Sequence, residues 1–330
     1  MNSSLIYTIC SANNLYQAFA LGFSLKKTNP DYRFVIGLID KKPQTDFEYP
    51  FSVISIDELH HAPFREMSER YSIIELNCAC KPVFAKYFLN YFPNTELIYM
   101  DTDIWVMNNI DEIITNLVEK DYDIILTPHI TRPIGDQEEW SEKNFLNAGL
   151  YNAGFFALKK TENTIKMLDW WENRLFDRGY LDYCKGMGAD QLWLNFVPLF
   201  FEKVLVEYNP GYNLAYWNLN EREISLNPAG QYMADAGYPV KFFHFSGFSP
   251  EMPNLISRHL PKTQIQRYPV LKELFNEYQR VLLENHYYFF KGIVPAYGIY
   301  TPPAKPKGLV SKLIDKGSWK VINFIENFEV

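Results

Sequence analysis

Glycine-rich phosphate loops are missing from this 330-residue chain. No Gly-x-Gly-x-x-Gly follows the first apolar run, and no Gly-x-x-x-x-Gly-Lys occurs. Cysteine is scarce. Cys10, Cys78, Cys80 and Cys184 have no framework spacing, and Cys78-Ala-Cys80 lacks the second pair of a zinc site, so reduced thiols are expected. No apolar run approaches the ~20 residues that cross a bilayer. No basic segment leads into a long apolar one at the start, as in a signal peptide. Positive charge is also in deficit: 32 Lys and Arg face 39 Asp and Glu, and the net charge of −7 argues against a general nucleic-acid binder. Repeats and low-complexity tracts are absent. These absences lead us to expect a cytoplasmic protein.

Apolar and aromatic residues are abundant, at 47% and 17%, enough for one large α/β domain with an appendage or for two smaller domains. The stretch that organises the chain is Leu97-Ile98-Tyr99-Met100-Asp101-Thr102-Asp103-Ile104-Trp105-Val106. An unbroken apolar run suits a strand covered on both faces, as in a parallel sheet flanked by helices. Ligands of such sheets gather outside the carboxyl ends of the strands, where Asp101 and Asp103 fall. Two carboxylates this close are costly to desolvate without a cation or hydrogen-bond donors. A hard divalent ion would compensate them and bridge a phosphate-bearing ligand. A polar turn without metal fits the triplet as well.

Leu5–Cys10 reads as a strand, Leu15–Lys26 as an amphipathic helix, and 32–39 and 51–56 as further strands. Thr8, Ser11 and Asn13 stand where the first strand hands over to its helix. They are placed to contact a base or ribose, although capping and turn chemistry accounts for them equally. Residues 57–71 read as a helix, and Lys81-Pro82 opens another, with Lys81 facing either phosphate or solvent. A helix over 110–120 and a strand over 122–127 follow. Residues 130–147 form a polar loop long enough to be functional. Tyr151–Leu158 is a strand whose glycine permits close approach of a ligand. A helix over 161–177 carries Trp170 and Trp171 as packing residues. Asp190 sits where a flexible run enters a helix, a capping position. Residues 211–222 alternate amides with aromatics, a composition suited to a sugar; Tyr216, Trp217 and Arg222 are the acceptor-side candidates. His244 lies in the apolar run 240–248, where a lone histidine is usually a hydrogen-bonded core residue. It precedes Ser246-Gly247, whose backbone N–H groups suit phosphate. A long helix over 268–288 and a Pro/Gly-rich linker over 292–307 close the described pattern. The tail carries Lys305, Lys307, Lys312, Lys316 and Lys320 against Asp315, with an apolar stripe from Leu309 to Phe328. This suits a helix lying on an anionic membrane surface, or one docked on the domain or a second subunit.

Four segments in order, Tyr-Met-Asp-Thr-Asp (99–103), Asn-Ala-Gly (152–154), Asp-Gln-Leu-Trp-Leu-Asn (190–195) and His-Phe-Ser-Gly (244–247), resemble the GT-A glycosyltransferases. The retaining, family-8-like enzymes that use nucleotide-diphosphate sugars are the nearest in pattern, and the likeness covers roughly residues 5–260. It implies an α/β fold with a mixed, mostly parallel sheet flanked by helices and a C-terminal helical extension. Residues 1–260 would be the transferase domain, 261–290 a helix packed on it, and 291–330 the linker and tail. It implies that Asp101, Asp103 and His244 hold Mn²⁺ or Mg²⁺ against the donor diphosphate. Thr8, Ser11, Asn13, Lys81, Asp101, Thr102, Asn152, Ser246 and Gly247 then bind the donor, and Asp190 and Gln191 carry the catalysis. The family pattern continues after the glycine to a lysine that this chain lacks, since Phe248-Ser249-Pro250 follows; Lys81 and Arg258 are the candidates to replace it. The implied activity is transfer, with retention, from a nucleotide sugar, UDP-linked by preference. The acceptor would be a saccharide or a lipid-linked molecule in bacterial surface-polysaccharide synthesis, at the inner face of the membrane. The alternatives are a non-catalytic sugar-binding protein and a haloacid-dehalogenase-type phosphatase. The phosphatase motif wants Thr or Val where Trp105 stands.

Overall fold

Alternation sorts the first strand between two cores. In the computed structural model, which describes residues 4–92, 95–134 and 141–299, Leu5, Tyr7 and Ile9 of β1 (Leu5–Cys10) enter one apolar cluster. Ile6 and Cys10 enter clusters on the opposite face, so all six residues are buried and the run shows no polar alternation. β1 pairs in parallel with β2 (Arg33–Leu38) and with β4 (Leu97–Met100), and β2 pairs in parallel with β3 (Ser52–Ser55). After β4 the chain turns through Asp101–Asp103 into β5 (Ile104–Val106), which leaves this sheet. β6 (Ile124–Pro128) and β7 (Tyr151–Leu158) complete the pattern with the short strand Val204–Val206. The seven strands run in the order Val204–Val206, β6, β7, β4, β1, β2, β3. Only β7 is antiparallel to its neighbours. The result is a mixed α/β fold with a mostly parallel central sheet flanked by helices.

One face is covered by α2 (Phe64–Arg70), α3 (Ile73–Ala79), α4 (Lys81–Tyr91) and α7 (Glu162–Asp177), which bury Phe84, Phe88 and Trp171 against Tyr7, Tyr99 and Phe156. The other face is covered by α1 (Leu15–Thr28), α5 (Asp111–Val118) and the helix Lys272–Glu284. Each fully buried aromatic of this kind stabilises the fold by ~2 kcal/mol through surface removed from water. The four cysteines are all free thiols.

The helix expected over 57–71 is broken. A 3-10 turn at Ile56–Leu59 ends on His60 in the left-handed region, and Pro63 precedes α2. Ser72 then caps α3, with Glu75 reaching back to the Ser72 N–H at 2.9 Å. The 130–147 loop contains α6 (Glu142–Ala148), opened by Ser141 and Asn144 in the same reciprocal arrangement. The helix expected over 268–288 is two helices, Lys272–Glu284 and Tyr287–Lys291, separated by His286 at φ 63°. Residues 296–299, read from sequence as part of a linker, lie against this unit. The Ala296 N–H donates to Asp40 Oδ1 at 2.9 Å, and the Ile299 N–H donates to the Tyr71 carbonyl at 2.7 Å. The lysine-rich tail and its apolar stripe lie outside the described residues. No helix among the described residues is long and apolar enough to cross a membrane.

Candidate active site

Two ladders bring together residues that are far apart in sequence. In the first, β7 runs antiparallel to β4 with Met100 opposite Phe155, so the Asp101 N–H donates to the Gly154 carbonyl at 2.8 Å. In the second, β5 pairs antiparallel with the strand Phe242–His244, with Ile104 opposite His244. The Phe245 N–H closes that ladder on the Asp103 carbonyl at 2.7 Å. His244 Nε2 therefore lies 2.9 Å from Asp103 Oδ1 and 3.9 Å from Asp101 Oδ2. Ligand atoms of Asp101, Asp103 and His244 all fall within 4.8 Å of one another.

The residues present fit a divalent ion. Two carboxylates and one imidazole form a donor set suited to a divalent metal ion. The far ring nitrogen, Nδ1, lies 3.2 Å from Asn213 Oδ1, an acceptor, so it carries a proton and leaves Nε2 for a metal. Asn213 is fully buried in the left-handed region, which asparagine tolerates, so the support is fixed in place. Gly154 forms the floor. A Cβ there would lie 2.5 Å from His244 Cε1 and 2.8 Å from Asp101 Oδ2. Burial disfavours charge on both His244 and Asp103, but their mutual attraction outweighs it. It raises the histidine and lowers the aspartate relative to their ordinary values.

Behind the trio sits Lys81, at the start of α4. Its ammonium lies 2.8 Å from Asp190 Oδ2 and 3.2 Å from Asp101 Oδ1, and donates to the Ala153 carbonyl at 3.0 Å. Its three donors are thereby taken, and its side chain is only 6% exposed. Desolvation would lower its pKa, yet Asp101 and Asp190 together hold it charged, above the usual lysine value. The sequence allowed Lys81 a phosphate contact or solvent; the structure gives it two carboxylates and a carbonyl instead. Asp190 likewise makes no capping bond to the one-turn helix Gln191–Leu194 that it precedes. Its backbone carbonyl is held by Trp171 Nε1 at 3.1 Å. Asn152 is oriented by His129, whose Nε2 lies 3.1 Å from the Asn152 amide nitrogen, while Asn152 Oδ1 accepts from the Gly154 N–H at 3.0 Å. Burial lowers the His129 pKa to about 4, so this ring is neutral near pH 7 and free to accept.

Two cavities meet at the cluster, with Cys78, Lys81, Asp101 and Asp103 lining both. The first, about 350 Å³, is lined by Ser11, Asn13, Tyr16, Gln17, Asn77, Thr102, Gly247 and Arg258. The second, about 250 Å³, is lined by Asn152, Asp190, Gln191, Tyr216, Trp217, His244, Ser246 and His259. Two residues picked from the sequence are elsewhere. Thr8 is fully buried in β1, and its hydroxyl has no partner among the described residues. Arg222 is an internal strut: its guanidinium donates to the carbonyls of Pro210 and Tyr212 and to Glu221 at 2.9, 2.7 and 3.1 Å. Trp217 lines the second cavity but packs edge-on against His244 and His129. Sequence reasoning did not name His129, Asn213, Asn77 or His259 as site residues, although Asn213 is one of the amides of the 211–222 segment it singled out.

No family model matches the chain. It is 26% identical over 281 residues to the uncharacterized protein YfnF of Bacillus subtilis (strain 168), covering 83% of this chain and 91% of that one. Among solved structures it is similar to the galactosyltransferase LgtC in complex with donor and acceptor sugar analogues. That match has 15% identity and a TM-score of 0.45 and covers 88% of this chain and 98% of that one. It is also similar to the glycosyltransferase GlyE of Streptococcus pneumoniae TIGR4, at 15% identity and TM-score 0.46, covering 93% and 66%. Mouse xyloside xylosyltransferase 1 matches at 12% identity and TM-score 0.45, covering 73% and 97%.

Proposed function

We propose that the chain is a metal-dependent glycosyltransferase, moving a sugar with retention from a nucleotide-diphosphate donor to a saccharide or lipid-linked acceptor. The observation that carries this is the Asp101–Asp103–His244 trio at the junction of two cavities, one amide-rich and one walled by Asp190, Gln191 and aromatic rings. A diphosphate at the trio leaves the first cavity for the nucleoside and the second for the sugar and acceptor. A bound metal would neutralise charge building on the diphosphate leaving group. Lys81 holds Asp101 and Asp190 in place, and Asn152 presents an amide fixed by His129. The preference for uridine and the role in bacterial surface polysaccharide rest on the family resemblance.

Thermal melts against a panel of nucleotide sugars, with and without Mn²⁺, test this reading. One nucleotide sugar is expected to raise Tm by about 5 °C at saturating concentration, and only with metal. Stabilisation by free sugars without metal would instead make the chain a sugar-binding protein.

Retention is supported by the state of Asp190. An inverting enzyme needs a free base beside the acceptor hydroxyl, whereas Asp190 is buried and tied to Lys81 at 2.8 Å. Gln191, next in the chain and open to the second cavity, offers a neutral amide oxygen to positive charge at the anomeric carbon. Gln191→Ala is expected to lower kcat about a hundredfold while changing donor affinity little. Proton NMR of the product decides the stereochemistry. A β-linked product from an α-linked donor would overturn retention and make Asp190 or His259 the base to test.

A further inference from the structure

We propose that residues 292–299 form a strap that sets the spacing of the walls around the nucleoside, with Asp40 and Gly298 as its positioning residues. The inference rests on the transferase reading, in which the first cavity takes the nucleoside. Two walls of that cavity come from separate parts of the chain. The 11–14 turn contributes Ser11 and Asn13, and α3 contributes Ile73, Ile74 and Asn77. The hydrogen bond from Asn77 Nδ2 to Ser11 Oγ, which joins the two walls directly, is long at 3.4 Å.

The strap holds both walls from behind. It leaves the helix Tyr287–Lys291 at Lys291, itself a lining residue of the cavity. Its first anchor is Asp40, buried just past the carboxyl end of β2. One carboxylate oxygen, Oδ1, accepts from the strap's Ala296 N–H at 2.9 Å and from the Lys41 N–H at 2.8 Å. The other, Oδ2, accepts from the Ala12 N–H at 3.0 Å, inside the 11–14 turn. A single buried side chain thus joins strap and turn, and these N–H donors compensate its burial. The second anchor is α3. Gly298, at φ +85°, lets the strap backbone rest on the first turn of that helix. A Cβ there would lie 2.8 Å from the Ile73 nitrogen and 2.9 Å from Ile73 Cα. Ile299 bridges to Ser72, the residue that caps α3, and its N–H donates to the Tyr71 carbonyl at 2.7 Å. Between the anchors, the Tyr297 hydroxyl donates to Asp57 Oδ1 at 2.7 Å, and its ring meets Phe64 edge-on at 5.0 Å. Dispersion contacts weaken sharply over gaps of half an ångström, so a nucleoside between these walls depends on their spacing.

The test is calorimetric titration of the full chain in Mn²⁺ with UDP and GDP, the tighter binder serving as probe, and with inorganic pyrophosphate, which has no nucleoside. Gly298→Ala lifts the strap from α3. Asp40→Asn keeps the shape of the side chain but offers one acceptor oxygen, so it cannot serve Ala12 and Ala296 together. Each is expected to weaken the nucleoside diphosphate about tenfold, with pyrophosphate and Mn²⁺ affinities unchanged. Gly230→Ala is the control for backbone strain, since Gly230 has φ +75° in an open turn with nothing within 4 Å of an added Cβ. It should bind both probes like the wild type. Nucleoside-diphosphate binding within twofold of wild type in both variants overturns this inference and leaves the transferase reading standing. An equal loss of pyrophosphate also overturns it, because the strap would then support the fold at large. Failure of the wild type to bind UDP or GDP overturns both readings.

Discussion

Asp103→Ala is expected to cut metal-dependent transfer about a thousandfold or more, because a metal site contributes several kcal/mol and each 1.4 kcal/mol is tenfold in rate. The reason lies in where Asp103 sits. Its backbone carbonyl closes the ladder to Phe245, while its carboxylate does no structural work beyond meeting His244 at 2.9 Å. Truncation therefore removes a ligand and leaves the turn. The half-buried position of the side chain keeps the stability cost small, since His244 can lose its proton when its partner is gone. Three measurements separate these effects. Calorimetry with Mn²⁺ alone should show affinity lost, circular dichroism should show the fold retained, and a transfer assay should show turnover gone. Near-normal Mn²⁺ affinity in Asp103→Ala would end the metal reading, whatever the activity.

Gly154→Ala is expected to be nearly as damaging, although it removes no functional group. The added methyl would stand 2.5 Å from His244 Cε1, 2.7 Å from Asn152 Oδ1 and 2.8 Å from Asp101 Oδ2. None of these neighbours is free to swing away. The His244 ring is held by Asn213 and packed against Trp217, Asn152 is held by His129, and Asp101 is held by Tyr99 and Lys81. Displacement of several tenths of an ångström must fall on the ligands, and metal sites tolerate only about 0.2 Å. Mn²⁺ affinity should fall about a hundredfold, because disturbing the support of ligands costs that much. Overpacking should also lower stability by about 1–3 kcal/mol. Mn²⁺ titration and denaturant unfolding of the variant check both figures, and unchanged metal affinity would show that the floor of the site yields.

The central sheet and the aspartates were legible because they rest on local signals. Unbroken apolar runs marked β1, β4 and β7, and the carboxylates stood directly behind one of them. Short helices were harder to read. α3 and α6 span only seven residues each, too few for a periodicity of 3.6 to declare itself. Their serine caps were in plain view, Ser72-x-x-Glu75 being the standard signature. The partners of the site residues were beyond reach for a different reason. Nothing near Asn213 or His129 says that one orients His244 and the other Asn152, since both contacts exist only after strands distant in sequence have paired. The same holds for Arg222 and Lys81. A cation in a suggestive neighbourhood reads as a ligand contact until the structure shows which of its donors are already spent.

The ladder between β5 and Phe242–His244 joins stretches roughly 140 residues apart in sequence, and it sets the histidine beside the aspartates. Closing so long a loop is entropically demanding and slow compared with local pairing. During synthesis the two aspartates emerge with β4, and β7 soon supplies the glycine floor. Before residue 244 appears, Lys81 is the cation that the structure sets beside Asp101, with the Tyr99 hydroxyl donating to the same carboxylate. The lysine whose donors are all committed in the finished protein is thus also the cation nearest that strand end before its histidine is made.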